Sequence, residues 1–404
     1  MTRPDGILDR HCRSLSPDAE LDRLAAETRA RFGSLVARDI NPLAAERDAR
    51  GTCIPQEVMR AAGALGLLAM AMPEAIGGGD ADPVAWGAVL EELGYLSEDS
   101  SFTLLVSLRV AVATTILHSG RTDFEERYVR PMMAGDRAGA LAYTEDADAF
   151  SFKSVAEREG DDFVITGEKF LVTGGATADT FMTYVRDSET DDLLVFLLER
   201  EDTGVELRPV EVSGFRSAGL CSLSLDRVKV PASRLLAAED GLGHAQRFLN
   251  ARRALLVCGF LGRMRAILED CAASLHHTVR YGRPLTEFQN VQSTLGRMYI
   301  NVEASRAFVH HALRQASRGE TDPVFDPLTS AAKHFAVEQA IDTVTMALRL
   351  LGGRGYLKEN SYERSLRDFM GLISGAGAQD LLQIGLGDLV IRKCARGSER
   401  VEEI

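Results

Sequence analysis

The stretch from Leu350 to Gln379, LLGGRGYLKENSYERSLRDFMGLISGAGAQ, concentrates residue types that can do chemistry. Gly352, Gly353 and Gly355 make a turn that opens toward a helix. With no Cβ in the way, backbone N–H groups of such a turn can approach a pyrophosphate. The same glycines also suit a helix cap, and a bare GG-x-G does not separate the two uses. Arg367-Asp368 and the small-residue run Gly375-Ala376-Gly377-Ala378 follow. The six cysteines (Cys12, Cys53, Cys221, Cys258, Cys271, Cys394) are scattered with no C-x-x-C pair. Reduced thiols fit that pattern better than a metal centre or disulfides, and no metal is expected.

The elements that position these residues follow from hydrophobic period. Leu21, Leu24 and Ala25 recur at helical spacing, as do Val58, Ala61, Ala62 and Leu65. Pro73 and Gly77-Gly78-Gly79 interrupt, and Val84–Tyr95 and Leu104–His118 read as two further, largely buried helices. From Arg137 to Leu236 the pattern changes to short alternating runs: Ser154–Arg158, Phe163–Thr166, Thr180–Arg186, Leu193–Leu198, Val205–Pro209 and Ser222–Val230. The helical period returns at Gly243 and lasts nearly to the end. The expected class is α+β, with a helical domain over 1–136, a middle β-sandwich or barrel over 137–238, and a C-terminal four-helix bundle over 239–404.

Composition is that of an ordinary globular chain of 404 residues, 45% hydrophobic and 26% charged. A net charge of −13 argues against nucleic acid or an anionic membrane as the main partner. The first residues, MTRPDGILDRHCRSL, show no apolar signal-peptide core, and no apolar run of about 18 residues stands out as a membrane span. A cytoplasmic protein is the expectation.

Five segments, in order, resemble the acyl-CoA dehydrogenase family: GLLAMAMPEAIGGGDADPVAWGAVLEELGYL, RYVRPMMAGDRAGALAYTE, ITGEKFLVTGGATADTFMTYVRD, SLDRVKVPASRLLAAEDGLG and YGRPLTEFQNVQSTLGRM. The Leu350–Gln379 stretch resembles that family's C-terminal signature. The resemblance implies FAD lying between the β domain and the C-terminal helices, with part of its site from a neighbouring subunit, hence a homodimer or homotetramer. It places Thr144 and Thr173 beside the flavin ring, where hydroxyls can stabilise charge gained on reduction. Both threonines also suit strands by propensity alone. Phe170 falls at a family Trp position, and Ser151 belongs to the loop after Thr144. Gln289 matches a segment contacting adenosine, with a solvated helix face as the other reading. Gly352 and Gly353 would border the pyrophosphate.

The departures bear on mechanism. A family pyrophosphate arginine falls on Thr278, with Arg280 or Arg283 as substitutes, and a family Gln falls on Arg349, whose guanidinium suits phosphate. The loop after Thr144-Glu145 has lost its Pro and Gly. The catalytic Glu that removes the substrate α-proton falls on Ala376, followed by Gly377. The alternative Glu position, on an earlier helix, falls on Arg252. Neither can act as base. Asp148, Glu145 and Asp380 are the nearby acids, Asp380 through a shared helix face one turn after Ala376 or else as a solvated helix acid. Arg252 either holds a substrate carboxylate or enolate, or pairs with a neighbouring acid. The function expected is an FAD-dependent dehydrogenase of an unusual acyl thioester on coenzyme A or an acyl carrier protein, with a flavin oxidase or monooxygenase, or a non-redox enzyme or binding protein, as the alternatives.

Overall fold

Residues 18–147 and 151–399 are described in the computed structural model of the chain. Helix α1 (Ala19–Leu35) and two shorter helices, Ala44–Arg50 and Gln56–Ala64, lead to the central pair α2 (Pro83–Leu96) and α3 (Ser100–Leu117). Aspartates start both. Asp82 accepts from Ala85 N at 2.8 Å ahead of Pro83, and Asp99 accepts from Ser101 N at 3.1 Å. Both helices are buried on nearly every side, so they read as apolar runs rather than amphipathic stripes. Helix α3 is long and apolar enough to cross a membrane, with mean hydropathy 1.6, which corrects the expectation that no such run exists. Within the fold, 78% of that stretch is buried, packed on the long bundle helix and the first strand.

Strands β1 (Gly139–Ala142), β2 (Val155–Glu159), β3 (Asp162–Val172), β4 (Thr180–Asp187), β5 (Leu193–Glu199), β6 (Val205–Pro209), β7 (Cys221–Pro231) and β8 (Leu235–Ala237) form one sheet. The order is β6-β7-β3-β2-β4-β5-β8, with β1 pairing β4 in parallel. Alternation buries Phe163, Ile165, Phe181, Phe196, Leu198 and Leu223 in a core separate from that of the helices. The six expected runs are strands. The sequence reading missed β1 and β8, of four and three residues, which are too short to show a period. Strand β3 runs on to Val172 through an irregularity at Leu171, whose φ is +51°.

The last segment comprises α4 (Gly241–His276), a small hairpin of β9 (Val279–Arg280) and β10 (Arg283–Pro284), α5 (Gln289–Ser317), α6 (Pro327–Leu351), α7 (Ser361–Gly371) and α8 (Gln379–Glu399). Helix α6 packs against α4, α5 and α8, completing the bundle. The architecture is the expected α+β arrangement of helical, β and helical parts.

Helices α2 and α4 meet at backbone distance. A Cβ on Gly94 would stand 1.7 Å from the Gly259 carbonyl oxygen, and one on Gly262 1.8 Å from that of Glu91. Around this crossing lie buried acids. Glu91 accepts from Arg306 Nε at 2.6 Å and bonds His310 Nε2 at 2.7 Å, and Glu92 accepts from Arg265 at 2.7 Å and Arg29 at 2.8 Å. Burial opposes the charge on Glu91, yet Arg306, His310 and Arg265 hold its carboxyl far below the usual carboxylate range. These acids therefore tie the first helices to the bundle, and Glu91 stays ionised. Gly94→Ala should force the two helices apart and cost about 1–3 kcal/mol or more, read as a lower urea midpoint at unchanged slope.

Candidate active site

Three parts of the chain converge on the loop between β6 and β7. Arg367 grips Asp48 with two bonds, of 2.9 and 2.7 Å, and donates to Ser213 O at 2.7 Å. Asp368, the next residue, accepts from Phe215 N at 2.6 Å. Ser217 Oγ donates to both oxygens of Asp99, at 2.8 and 2.9 Å, and Arg47 Nε reaches the same carboxylate at 3.2 Å. There is no room for a side chain at Gly214, where a Cβ would lie 2.2 Å from Arg367 O. Phe215, at φ +52°, stacks edge-on against Phe260 of α4, which in turn meets Phe369 of α7. The Arg367-Asp368 pair is thus a clamp that fixes α7, and with it the loop 372–378.

That loop is held by two buried cations. Arg253 Nε donates to Ala376 O at 3.2 Å, and Lys333 Nζ donates to Gly377 O at 2.9 Å and to Gln379 Oε1 at 2.9 Å. Arg253 is braced by Asn250 and by Ser330 Oγ at 3.1 Å. Ala376 has φ +53° and Gly377 φ +107°, so both stand in the left-handed region. Burial pushes the Lys333 ammonium down to about 7, with the Arg253 charge adding and Glu338 opposing. Sequence reasoning missed Lys333 and the role of Arg253; a lysine within the apolar face of Ala331-Ala332-Lys333 was the available signal.

Of the nearby acids, neither of the two among the described residues serves Ala376. Glu145 is committed elsewhere. It accepts from Lys169 Nζ at 2.5 Å and from Lys153 N and Ser154 N. Burial resists its charge, but Lys169 holds its carboxyl below the usual range, while burial brings Lys169 down to about 8. Asp380 is exposed, and α8 begins only at Gln379, so Ala376 lies off the helix and the shared-face reading of Asp380 fails. Asp148 lies outside the described residues. Arg252 is buried, 8% exposed, and no acid pairs with it among the described residues.

The remaining predicted residues fall into two groups. Thr144, Ser151, Phe170 and Thr173 belong to the β domain. Phe170 N donates to Thr144 O at 2.7 Å, which places the end of β1 against β3. Thr144, Ser151 and Phe170 are exposed and Thr173 is half-buried. The second group sits at the bundle end. Gln289 opens α5, and Arg349, Gly352 and Gly353 close α6, all exposed. Arg280, in the hairpin, donates to Val279 O. Thr278 Oγ1 is spent on Ser274 O at 2.8 Å, and Arg283 lies 4.0 Å over the Phe288 ring. Gly352 needs to be glycine for its φ of +57° and ψ of −133°; nothing crowds its missing Cβ or that of Gly353. Among the described residues the hydroxyls of Thr144 and Thr173 have no partner and Arg280 and Arg349 pair with no carboxylate, and with an open glycine turn these fit the ring and the pyrophosphate of a flavin dinucleotide. Among the described residues no hydrogen bond joins the two groups.

Comparisons with known proteins bear on the fold and the family. Three family models match in series: "Acyl-CoA dehydrogenase, N-terminal domain" over 24–136, "Acyl-CoA dehydrogenase, middle domain" over 140–228 and "Acyl-CoA dehydrogenase, C-terminal domain" over 239–386. The chain is 30% identical over 344 residues to cyclohex-1-ene-1-carbonyl-CoA dehydrogenase of Geobacter metallireducens, covering 83% of this chain and 89% of that one. It is 27% identical to 3-(aryl)acrylate reductase of Clostridium sporogenes over 88% of this chain and 95% of the relative. Glutaryl-CoA dehydrogenase of Mycobacterium smegmatis, solved in complex with FADH2, superposes with a TM-score of 0.85 at 25% identity, covering 92% of this chain and 95% of that one.

Burial pushes the Asp368 carboxyl up to about 7 from 3.8, the Phe215 N–H opposing and the Asp99 charge adding. Below pH 3.8 the group is neutral in both the folded and the unfolded chain. As pH rises the unfolded chain ionises first, so the folded state holds the extra proton and stability falls until the folded group ionises near 7. Asp368→Asn keeps an acceptor for Phe215 N and should remove that decline, read as the difference between variant and wild-type urea unfolding from pH 4 to 8.

Proposed function

The chain belongs to the acyl-CoA dehydrogenase family, and from that premise we propose that it is an FAD-dependent oxidoreductase for an unusual acyl thioester, carried on coenzyme A or on an acyl carrier protein. The family consists of oxidoreductases of this type, and a neighbour with bound FADH2 points to FAD as the cofactor. When bound, FAD supplies the two-electron acceptor beside the thioester. Thr144 and Thr173 would orient its ring with Phe170 and Ser151 beside them. Arg280, Arg349, Gly352 and Gly353 would hold the pyrophosphate, and Gln289 the adenosine side.

The observation that carries the reading is a braced loop with no acid on it. Arg253 and Lys333 fix the carbonyls of Ala376 and Gly377 as a positioned loop requires, yet the side chain at residue 376 is a methyl group. A methyl accepts no proton, so oxidation here proceeds without a base at that place. A substrate that loses its proton from a hydroxyl or amine, or from a carbon already acidified, meets that condition. The same absence suits a scaffold that has lost redox chemistry, and colour separates the two.

The division of the predicted flavin residues between the β domain and the bundle end supports a site completed by a second copy. So does α8, which leaves Ile384 and Ile391 67% and 69% exposed. Purified protein should run as a dimer or tetramer by light scattering, and a stable monomer would count against a shared site.

Freshly purified protein should be yellow, with flavin bands in its visible spectrum; a colourless protein that cannot be reconstituted with FAD would end the redox reading. Ala376→Glu adds no new backbone strain, because alanine already carries a Cβ at φ +53°. That variant should raise ordinary acyl-CoA dehydrogenation by about 100-fold or more, the usual contribution of a placed general base, measured as flavin bleaching by butyryl-CoA without oxygen.

A further inference from the structure

Helix α4 carries two successive arginines with opposite fates. Arg253 is engaged by Asn250, Ser330 and Ala376 O. Arg252 is 8% exposed, and its Nε has no hydrogen-bond partner among the described residues. Its guanidinium lies 5.5 Å from the centroid of the Phe248 ring, and no carboxylate there pairs with it. Burial pushes the group down to about 10, which still leaves it charged at neutral pH. A buried charge without a counterion is a standing cost to the free protein, and one that a ligand anion removes.

The direction in which Arg252 points is set by its helix neighbours. His244, two turns earlier, shares a 2.8 Å hydrogen bond with Tyr184 OH of β4. Tyr184 stacks on Tyr143, the residue before Thr144, at 5.2 Å. Phe260, two turns later, meets Phe215 of the β6–β7 loop. These contacts lie within about 80° either side of Arg252 around the helix, and roughly 12 Å from it along the axis. Leu256, one turn on, touches the loop at Gly375, where a Cβ would be 3.5 Å from Leu256 Cδ2. Arg252 therefore faces the region bounded by the β domain on one side and by the loop bearing Ala376 on the other.

We infer that Arg252 is a specificity residue that receives a carboxylate carried by the acyl group of the thioester, so that the substrate class is the monothioester of a dicarboxylic acid. The inference rests on the thioester-oxidoreductase reading above. One guanidinium matches one carboxylate in charge and in planar two-point geometry. A phosphate of the cofactor or of the carrier is a poorer match, since Arg252 is buried whereas Arg280 and Arg349 offer exposed cations at the bundle end.

The test uses pantetheine thioesters, whose arm is common to coenzyme A and acyl carrier proteins. Binding of glutaryl-pantetheine and valeryl-pantetheine to the flavin-loaded protein is measured by calorimetry, for wild type, Arg252→Met and Arg252→Lys. The wild type should favour the glutaryl compound by at least tenfold. The preference should fall to near unity in R252M and return in part in R252K. Without ligand, R252M should melt higher than wild type, because the uncompensated charge is gone. Equal binding of the two thioesters by wild type, no binding of either, a preference that survives in R252M, or a sharp fall in the R252M melting temperature would each overturn the inference. The flavin spectrum is scored separately. Absence of flavin would sink the oxidoreductase reading, while the glutaryl preference, followed by thermal shift in the same preparation, would still stand or fall with Arg252.

Discussion

A buried and half-buried set of acids and cations around the β6–β7 loop holds the three parts of the chain in register. Asp48 and Asp99 come from the first helices, Ser213, Phe215 and Ser217 from the β domain, and Arg367 and Asp368 from α7. Exposed ion pairs contribute about 0–1 kcal/mol, whereas removing one partner of a buried pair costs about 3–5 kcal/mol. The Arg47–Asp99 pair is of the second kind, with side chains 5% and 3% exposed. If this junction opened, α7 would lose its seat on the β domain and the loop at Ala376 would lose its position relative to α4.

From that junction the candidate site follows by short links. Helix α7 ends at Gly371, packed against the Phe215 ring, and the chain then turns through Gly375, Ala376 and Gly377. Arg253 and Lys333, from two different bundle helices, fix the carbonyls of that turn. The loop is thus braced from three directions. Such bracing gives a catalytic group its aim, and here it is kept around a residue that can do no acid–base work. Arg252, the residue before Arg253 on α4, is a buried cation with no ion-pair partner among the described residues.

Buried acids elsewhere show how composition alone misleads. Glu91, Glu92 and Glu145 are interior carboxylates of the kind that often signals catalysis. Each is matched by arginine, histidine or lysine partners, and each fastens one element to another. What sets Arg252 apart is the lack of a described partner, since an unmet charge needs a ligand and a met one needs nothing further.

The order of helical and β segments, most strand positions and the family were legible in the sequence, because period, turn residues and local motifs are written in neighbouring positions. The short strands β1 and β8 were not, since their pairing is decided by β4 and β5 rather than by their own period. Nor were the fate of Arg252, the engagement of Glu145 or the roles of Lys333 and Asp368, which depend on partners some 24 to 153 positions away in the chain. The start of α8 at Gln379, which separates Asp380 from Ala376, was set by the two cations gripping the preceding carbonyls. Residue types and local period are properties of the chain, but whether a charge is paired or left for a ligand is decided only when distant segments meet in the interior, where water no longer offers every group a partner.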